Sequence, residues 1–134
     1  MKFKIGAFVQ EDDRVLLIKK NDLWDLPESN LDKGINIISD LKRDVKSETG
    51  LEIEPESVVA IFEDLLKKSE QTRIYFKAKI VGGKVKENKN FGWFTISDME
   101  SMEVDPTIKN AIDNYRLGKF IPMEFDPPSW RICK

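Results

Sequence analysis

Histidine is absent from this 134-residue chain, and cysteine occurs once, at Cys133. The first absence removes imidazole general bases, Ser-His-Asp and Cys-His nucleophile systems, and histidine metal sites. The second removes any intrachain disulfide framework and makes a reducing, cytoplasmic setting the expected one. Long apolar runs are missing too. Val15 to Ile18 and Ile35 to Ile38 fall far short of the roughly 20 residues that cross a bilayer. The opening MKFKIGAFVQ alternates from its start, with neither an apolar stretch nor a small-residue cleavage site after it, so no export signal and no membrane partner are expected. Nor does either sign of charge dominate: 22 Lys and Arg stand against 24 Asp and Glu, interspersed, for a net charge of −2. A basic footprint for a nucleic-acid duplex is not expected from such a chain. Whatever chemistry it performs is left to carboxylates, amines or a metal.

What is present fits one domain of ordinary size. Phe3, Ile5, Ala7 and Val9 alternate with their neighbours, Glu11, Asp12 and Asp13 supply a polar turn, and Arg14 to Lys20 is rich in strand formers, which predicts an opening hairpin. The stretch from Asn21 to about Asn36 holds Trp24, Pro27 and Gly34 and reads as one long loop, unusual for a mere connection. Ile37, Ile38, Leu41 and Val45 then form a helical stripe between a capping Asn36 and a terminating Gly50, predicting a helix over 37–49. Strands are predicted over 57–66, 73–81 and 91–96. A second amphipathic helix follows Asp105 and Pro106, with Ile108, Ala111, Ile112 and Tyr115 on one face and Gly118 beyond its end. The final GKFIPMEFDPPSWRICK has three prolines and three large aromatics without periodicity. It reads as an extended tail over 118–134 packed on the domain formed by 1–117. Phe120, Phe125 and Trp130 leave a ligand lid or a homodimer contact as alternatives.

One constellation has chemical promise. At 100° per residue, Asp40, Asp44 and Glu48 share one strip of the first helix, flanked by Arg43 and Ser47. Carboxylates at this spacing repel one another unless a cation or an arginine lies among them. A hard divalent cation taking these oxygens would hold a phosphate-bearing ligand over the helix edge. The competing reading is a solvated acidic face paired with Arg43 and nearby lysines.

The residues around that strip carry a resemblance. Trp24, Asp25, Leu26 and Pro27, then Asp32 and Gly34, then the run from Arg43 through Asp44, Val45, Glu48 and Gly50 to Leu51 resemble the Nudix hydrolase motif in order and spacing. Arg43 falls at the motif's arginine, Asp44 at its first clustered glutamate, Glu48 at its last, and Leu51 at its closing hydrophobic position. The likeness reaches over residues 1–117, because Phe91, Trp93, Phe94 and Asp98 also stand where relatives place such residues. It implies an α+β fold, an α/β/α sandwich with a mixed sheet. It also implies metal-assisted attack of water on the diphosphate linkage of a nucleoside diphosphate derivative, with Mg²⁺ or Mn²⁺ as cofactor. Asp44 and Glu48 would then be the metal ligands; helix spacing adds Asp40 as a third, at a position not usually acidic in the family. Arg43 would hold Asp44 or Asp40 in position or contact phosphate, and Trp24, beside Leu23 and Leu26, is either a core anchor or a surface for base or sugar.

The chain also departs from the motif. Ser29 stands at the opening glycine with Glu28 before it, Ile35 at the upstream glutamate, Ser47 at the middle glutamate and Asn90 at a late one. The resemblance therefore supports two functions: a hydrolase, in which Ser47 or a water fills the vacated metal position, or an inactive module binding a nucleotide, metabolite or protein. Glu63, Asp64, Glu87 and Glu103 are candidates for a supporting base, and Lys19, Lys20 and Arg73 for countering a diphosphate.

Overall fold

The computed structural model describes residues 2–31, 36–63, 71–117 and 121–122. β1 (Lys2–Glu11) and β2 (Arg14–Lys20) form the expected hairpin, but only its tip is paired, Gln10 with Val15 and Glu11 with Arg14. Below the tip the two strands splay apart. The chain expected as a loop after Asn21 fills the gap. β3 (Leu23–Asp25) pairs with the end of β2, and β4 (Glu28–Leu31) pairs with the start of β1. Pro27 between them is tied in by the Ala7 N–H donating to its carbonyl at 3.0 Å. Runs of three and four residues carry no readable alternation, so this pairing is set by the fork and not by local propensity.

β1 continues outward in parallel pairing with β6 (Gln71–Gly83), which pairs antiparallel with β5 (Leu51–Glu63). β7 (Phe91–Phe94) lies along the other edge of β2, and β8 (Ile121–Pro122) along β5. The sheet is mixed, as the sandwich requires. β5 starts at Leu51, directly after the first helix, and not at residue 57. Pro55 and the alternating glutamates mask a strand whose register shifts between Pro55 and Ser57, the sort of bulge where proline is tolerated. β6 likewise extends two residues beyond each end of the predicted 73–81. β7 stops at Phe94 because Thr95 caps a short helix, α2 (Ile96–Glu100), in a reciprocal capping box with Asp98. Residues 64–66 of one expected strand, Gly118, and the tail apart from 121–122 lie outside the described residues.

Alternation along the strands feeds two cores. Ile5, Ala7, Val9, Leu16, Ile74, Phe76 and Ala78 pack with Ile38, Leu41 and Val45 of α1 (Ile37–Thr49) on one face of the sheet. Phe8, Leu17, Leu26 and Tyr75 pack on the other with Met99 of α2 and with Ile108, Ala111 and Ile112 of α3 (Pro106–Leu117). The result is the expected α/β/α sandwich. α1 keeps its predicted limits: Asn36 accepts from the Ser39 N–H at 3.0 Å, and Gly50 closes the helix at φ 87°. None of the described helices is long and apolar enough to cross a membrane.

Beneath the start of α3 lies a partly buried polar cluster. Arg73 donates to the Thr107 hydroxyl at 3.2 Å and lies 3.6 Å from Asp105, while the Tyr75 hydroxyl and Thr107 Oγ1 are 2.6 Å apart. Asp25, buried nearby on β3, accepts only from the Leu26 N–H at 2.8 Å among its described hydrogen bonds. Burial, reinforced by the negative charge of Glu28, pushes its carboxyl up to about 6.

Two outcomes follow for stability. A Cβ on residue 50 would lie 2.3 Å from the Lys84 carbonyl oxygen in a left-handed backbone, so Gly50→Ala is expected to lose about 2 kcal/mol or more in denaturant melts. Folded Asp25 holds its proton more tightly than the unfolded chain, whose reference value is 3.8; its contribution therefore declines as pH rises from about 4 to about 6. Asp25→Asn, neutral throughout, is expected to gain about 2–3 kcal/mol on wild type between pH 4 and pH 7.5, read from paired urea melts. A constant difference across that range would contradict the buried-carboxyl account.

Candidate functional site

α1 buries its apolar stripe in the sheet and so presents its acidic strip toward β4. The fork brings β4 there. Together they line a cavity of about 310 Å³ bounded by Glu28, Ser29, Asn30, Asp44, Ser47 and Glu48. Two of the predicted residues, Asp44 and Glu48, therefore share one cavity. Asp40 does not line it, and neither do Glu87, Glu103 and Asn90.

Each acid has a distinct environment. Asp44 accepts from the Ser29 hydroxyl and from Arg43 Nε, the latter at 3.0 Å. Partial burial works against its charge, but these two donors prevail and hold its carboxyl below the usual range. Arg43 also reaches Asp40, Nη1 to Oδ1 at 3.0 Å, so one guanidinium ties two turns of the acidic strip together. Glu28 pairs with Lys4 at 3.0 Å and Lys20 at 3.4 Å. Lys20 also stands 3.6 Å from Glu48 Oε2. Glu48 Oε1 is buried and has no hydrogen-bond partner among the described residues. Ser47 accepts from Lys86 Nζ through its backbone carbonyl at 2.7 Å.

Trp24 lies elsewhere. Its ring meets Phe94 edge-on at 4.9 Å, with Lys19 Nζ 5.9 Å from its centre, and its backbone bridges to Val104. It belongs to the α3 side of the sheet. Arg73 is in the polar cluster under α3. Asp32, Gly34, Ile35, Asp64 and the tail aromatics Phe120, Phe125 and Trp130 lie outside the described residues, as does the side chain of Glu63.

The lining residues that sequence reading did not single out as contributors are Glu28, Ser29 and Asn30. The available signal was their position just after Trp24 to Pro27, where the motif calls for glycine. An acid and a hydroxyl there supply polar groups that glycine lacks.

The donors around the cavity are all oxygens, which suits a hard cation, and Glu48 Oε1 is an unsatisfied acceptor among them. Among the described residues no three acidic side chains converge to cage a metal ion. A divalent ion here would rest on one or two carboxylates, with water and phosphate completing its shell, the ordinary arrangement for Mg²⁺.

No protein-family model matches the chain. Over 104 residues, 74% of its length, it is 32% identical to the human 8-oxo-dGDP phosphatase NUDT18, of which it covers 29%. The chain thus spans under a third of that relative's length. The structure of a Nudix hydrolase from Nitrosomonas europaea superposes with a TM-score of 0.75 at 23% identity, covering 96% of this chain and 99% of that one. An ADP-ribose pyrophosphatase from Streptococcus suis gives a TM-score of 0.66 at 26% identity, covering 87% of each chain. Likeness in sequence and in fold converge: over most of its length the chain is similar in sequence to a Nudix phosphatase, and its fold is that of Nudix hydrolases.

Proposed function

We propose that the chain is a Nudix-type hydrolase that cleaves a diphosphate linkage in a nucleoside diphosphate derivative by metal-assisted attack of water. The observation that carries this reading is the shared cavity in which Asp44 and Glu48 meet the acid and hydroxyl of Glu28 and Ser29. Nudix hydrolases generally use a divalent metal, and Asp44 and Glu48 are the residues proposed to hold Mg²⁺ or Mn²⁺. When bound, such an ion polarises the phosphoryl oxygens and lowers the pKa of a coordinated water.

The chain's own residues prepare that chemistry. Ser29 and Arg43 keep Asp44 ionised and fixed in orientation, so it accepts without first losing a proton. Arg43 is proposed as the positioning residue, with Asp40 as its second anchor and an outlying third acid. Glu48 offers a buried carboxylate oxygen, Oε1, that has no hydrogen-bond partner among the described residues and that binding would satisfy. Ser47, where the motif has a glutamate, lines the cavity as a neutral residue, and a lower metal affinity is the expected consequence. Trp24 is proposed as the aromatic surface for base or sugar, on a strand joined to β4 through Leu26 and Pro27. A cytoplasmic location, a tail packed on the 1–117 domain and a homodimer stand as proposals beside this one.

A second reading is favoured by one feature: the acids already have internal cationic partners in Arg43, Lys4 and Lys20. A Nudix module that binds its ligand without hydrolysis would need nothing more.

The test is product release with Mg²⁺ and separately Mn²⁺ over a panel including 8-oxo-dGDP and ADP-ribose, named for the relatives, with nucleotide sugars and nucleoside triphosphates. The Asp44→Asn, Glu48→Gln double variant is expected to keep its circular dichroism and lose roughly 10²-fold or more in turnover, the scale for removing groups that stabilise transition-state charge. Turnover that survives both substitutions would overturn the assignment. A flat panel, with ligand-induced rises in Tm that persist in EDTA, would establish the binding module.

A further inference from the structure

We propose that Lys20 is the resident cation of the acidic cavity, and that a divalent ion engages Glu48 only by displacing it. The inference rests on reading this cavity as a metal site, and it goes beyond that reading by naming the group that competes for it.

Lys20 ends β2, immediately before a tight turn in which Asn21 and Asp22 both have positive φ, 50° and 67°. Its partner across the turn is Leu23. Two successive positive φ values are those of a primed hairpin turn, so the backbone of Lys20 is held while its four-carbon stem remains free to swing. The ammonium stands between acids from two different elements, 3.4 Å from Glu28 Oε1 on β4 and 3.6 Å from Glu48 Oε2 on α1. Both separations exceed the 2.7–2.9 Å of a strong charge-assisted hydrogen bond. One ammonium is shared between two carboxylates and fully satisfies neither.

The two acids depend on it unequally. Glu28 has a second, closer partner in Lys4 at 3.0 Å. Glu48 has no other ion pair or side-chain hydrogen bond among the described residues, and its Oε1 is buried without a partner. Lys20 thus compensates Glu48 at modest strength. A divalent ion drawn to Glu48 would meet a positive charge already there, and coexistence of the two at contact distance is unfavourable. Departure of Lys20 leaves Glu28 anchored by Lys4 and Glu48 open. The lysine's side chain is about one third exposed, as is that of Glu48, so an exit toward solvent exists.

The test reads metal binding alone: Mn²⁺ titrated into the purified chain without nucleotide, free Mn²⁺ being followed by electron paramagnetic resonance. Lys20→Met, which keeps the apolar stem, is expected to tighten the Mn²⁺ Kd roughly tenfold, since an opposing unit charge is removed from the site. Lys20→Arg should stay near wild type, and Lys4→Met, which removes a charge paired with Glu28 rather than with Glu48, should change the Kd far less than Lys20→Met. Adding Glu48→Gln to Lys20→Met should abolish the gain. Lys20→Gln serves as a second neutral variant if the methionine variant folds poorly. Unchanged or weaker binding in the neutral variants, an equal effect from Lys4→Met, or no detectable Mn²⁺ binding in any variant would overturn the inference. Turnover plays no part in the readout, so a protein that binds Mn²⁺ in this pattern yet hydrolyses nothing would overturn the hydrolase reading and leave this one standing.

Discussion

The splayed hairpin is the constraint on which the rest of the site depends. β1 and β2 pair only at their tip, and the open fork leaves two strand edges whose N–H and C=O groups must find partners. β3 and β4 supply them, and in doing so carry Glu28 and Ser29 to the edge of α1. A fully zipped hairpin would leave no seat for β4, and the acidic strip of α1 would face solvent with nothing opposite. The cavity is therefore a consequence of backbone hydrogen-bond accounting as much as of side-chain chemistry.

Within the cavity, charge compensation sets the character of each acid. Asp44 is fully engaged by a hydroxyl and a guanidinium, whereas Glu48 shares a distant ammonium and keeps one oxygen unsatisfied. Two carboxylates one helical turn apart thereby differ in readiness to accept a new cation, and the difference arises from what β2 and β4 place against them. On the opposite face of the sheet, Asp25 shows the reverse case: burial with a single described donor and an acidic neighbour favours its neutral form.

How much of this was legible depended on the range of the interactions involved. The limits of α1 were readable because Asn36, the stripe of Ile38, Leu41 and Val45, and Gly50 act within one helix. The start of α3 at Asp105 and Pro106 was readable for the same reason, as Asp105 accepts from the Thr107 N–H and hydroxyl. The opening of β5 at Leu51 was not, because Pro55 argues locally against a strand and only pairing with β6 overrides it. Glu28 read as a departure from a pattern, since nothing in a linear sequence says that residue 28 will face residue 48.

The sequence by itself determined the periodic elements, the two-faced sheet, the helix that carries Asp40, Asp44 and Glu48, and the likeness to Nudix hydrolases. All of these rest on side-chain patterns or spacings within a few residues of one another. Only the tertiary structure decided that β3 and β4 fill the fork, that Asp40 and Trp24 stand outside the cavity lining while Glu28 and Ser29 join it, and that Lys20 bridges two acids from separate elements. Those outcomes turn on which strand edges are left unpaired and on which charges then come within a few ångströms, and neither quantity exists until the chain has folded.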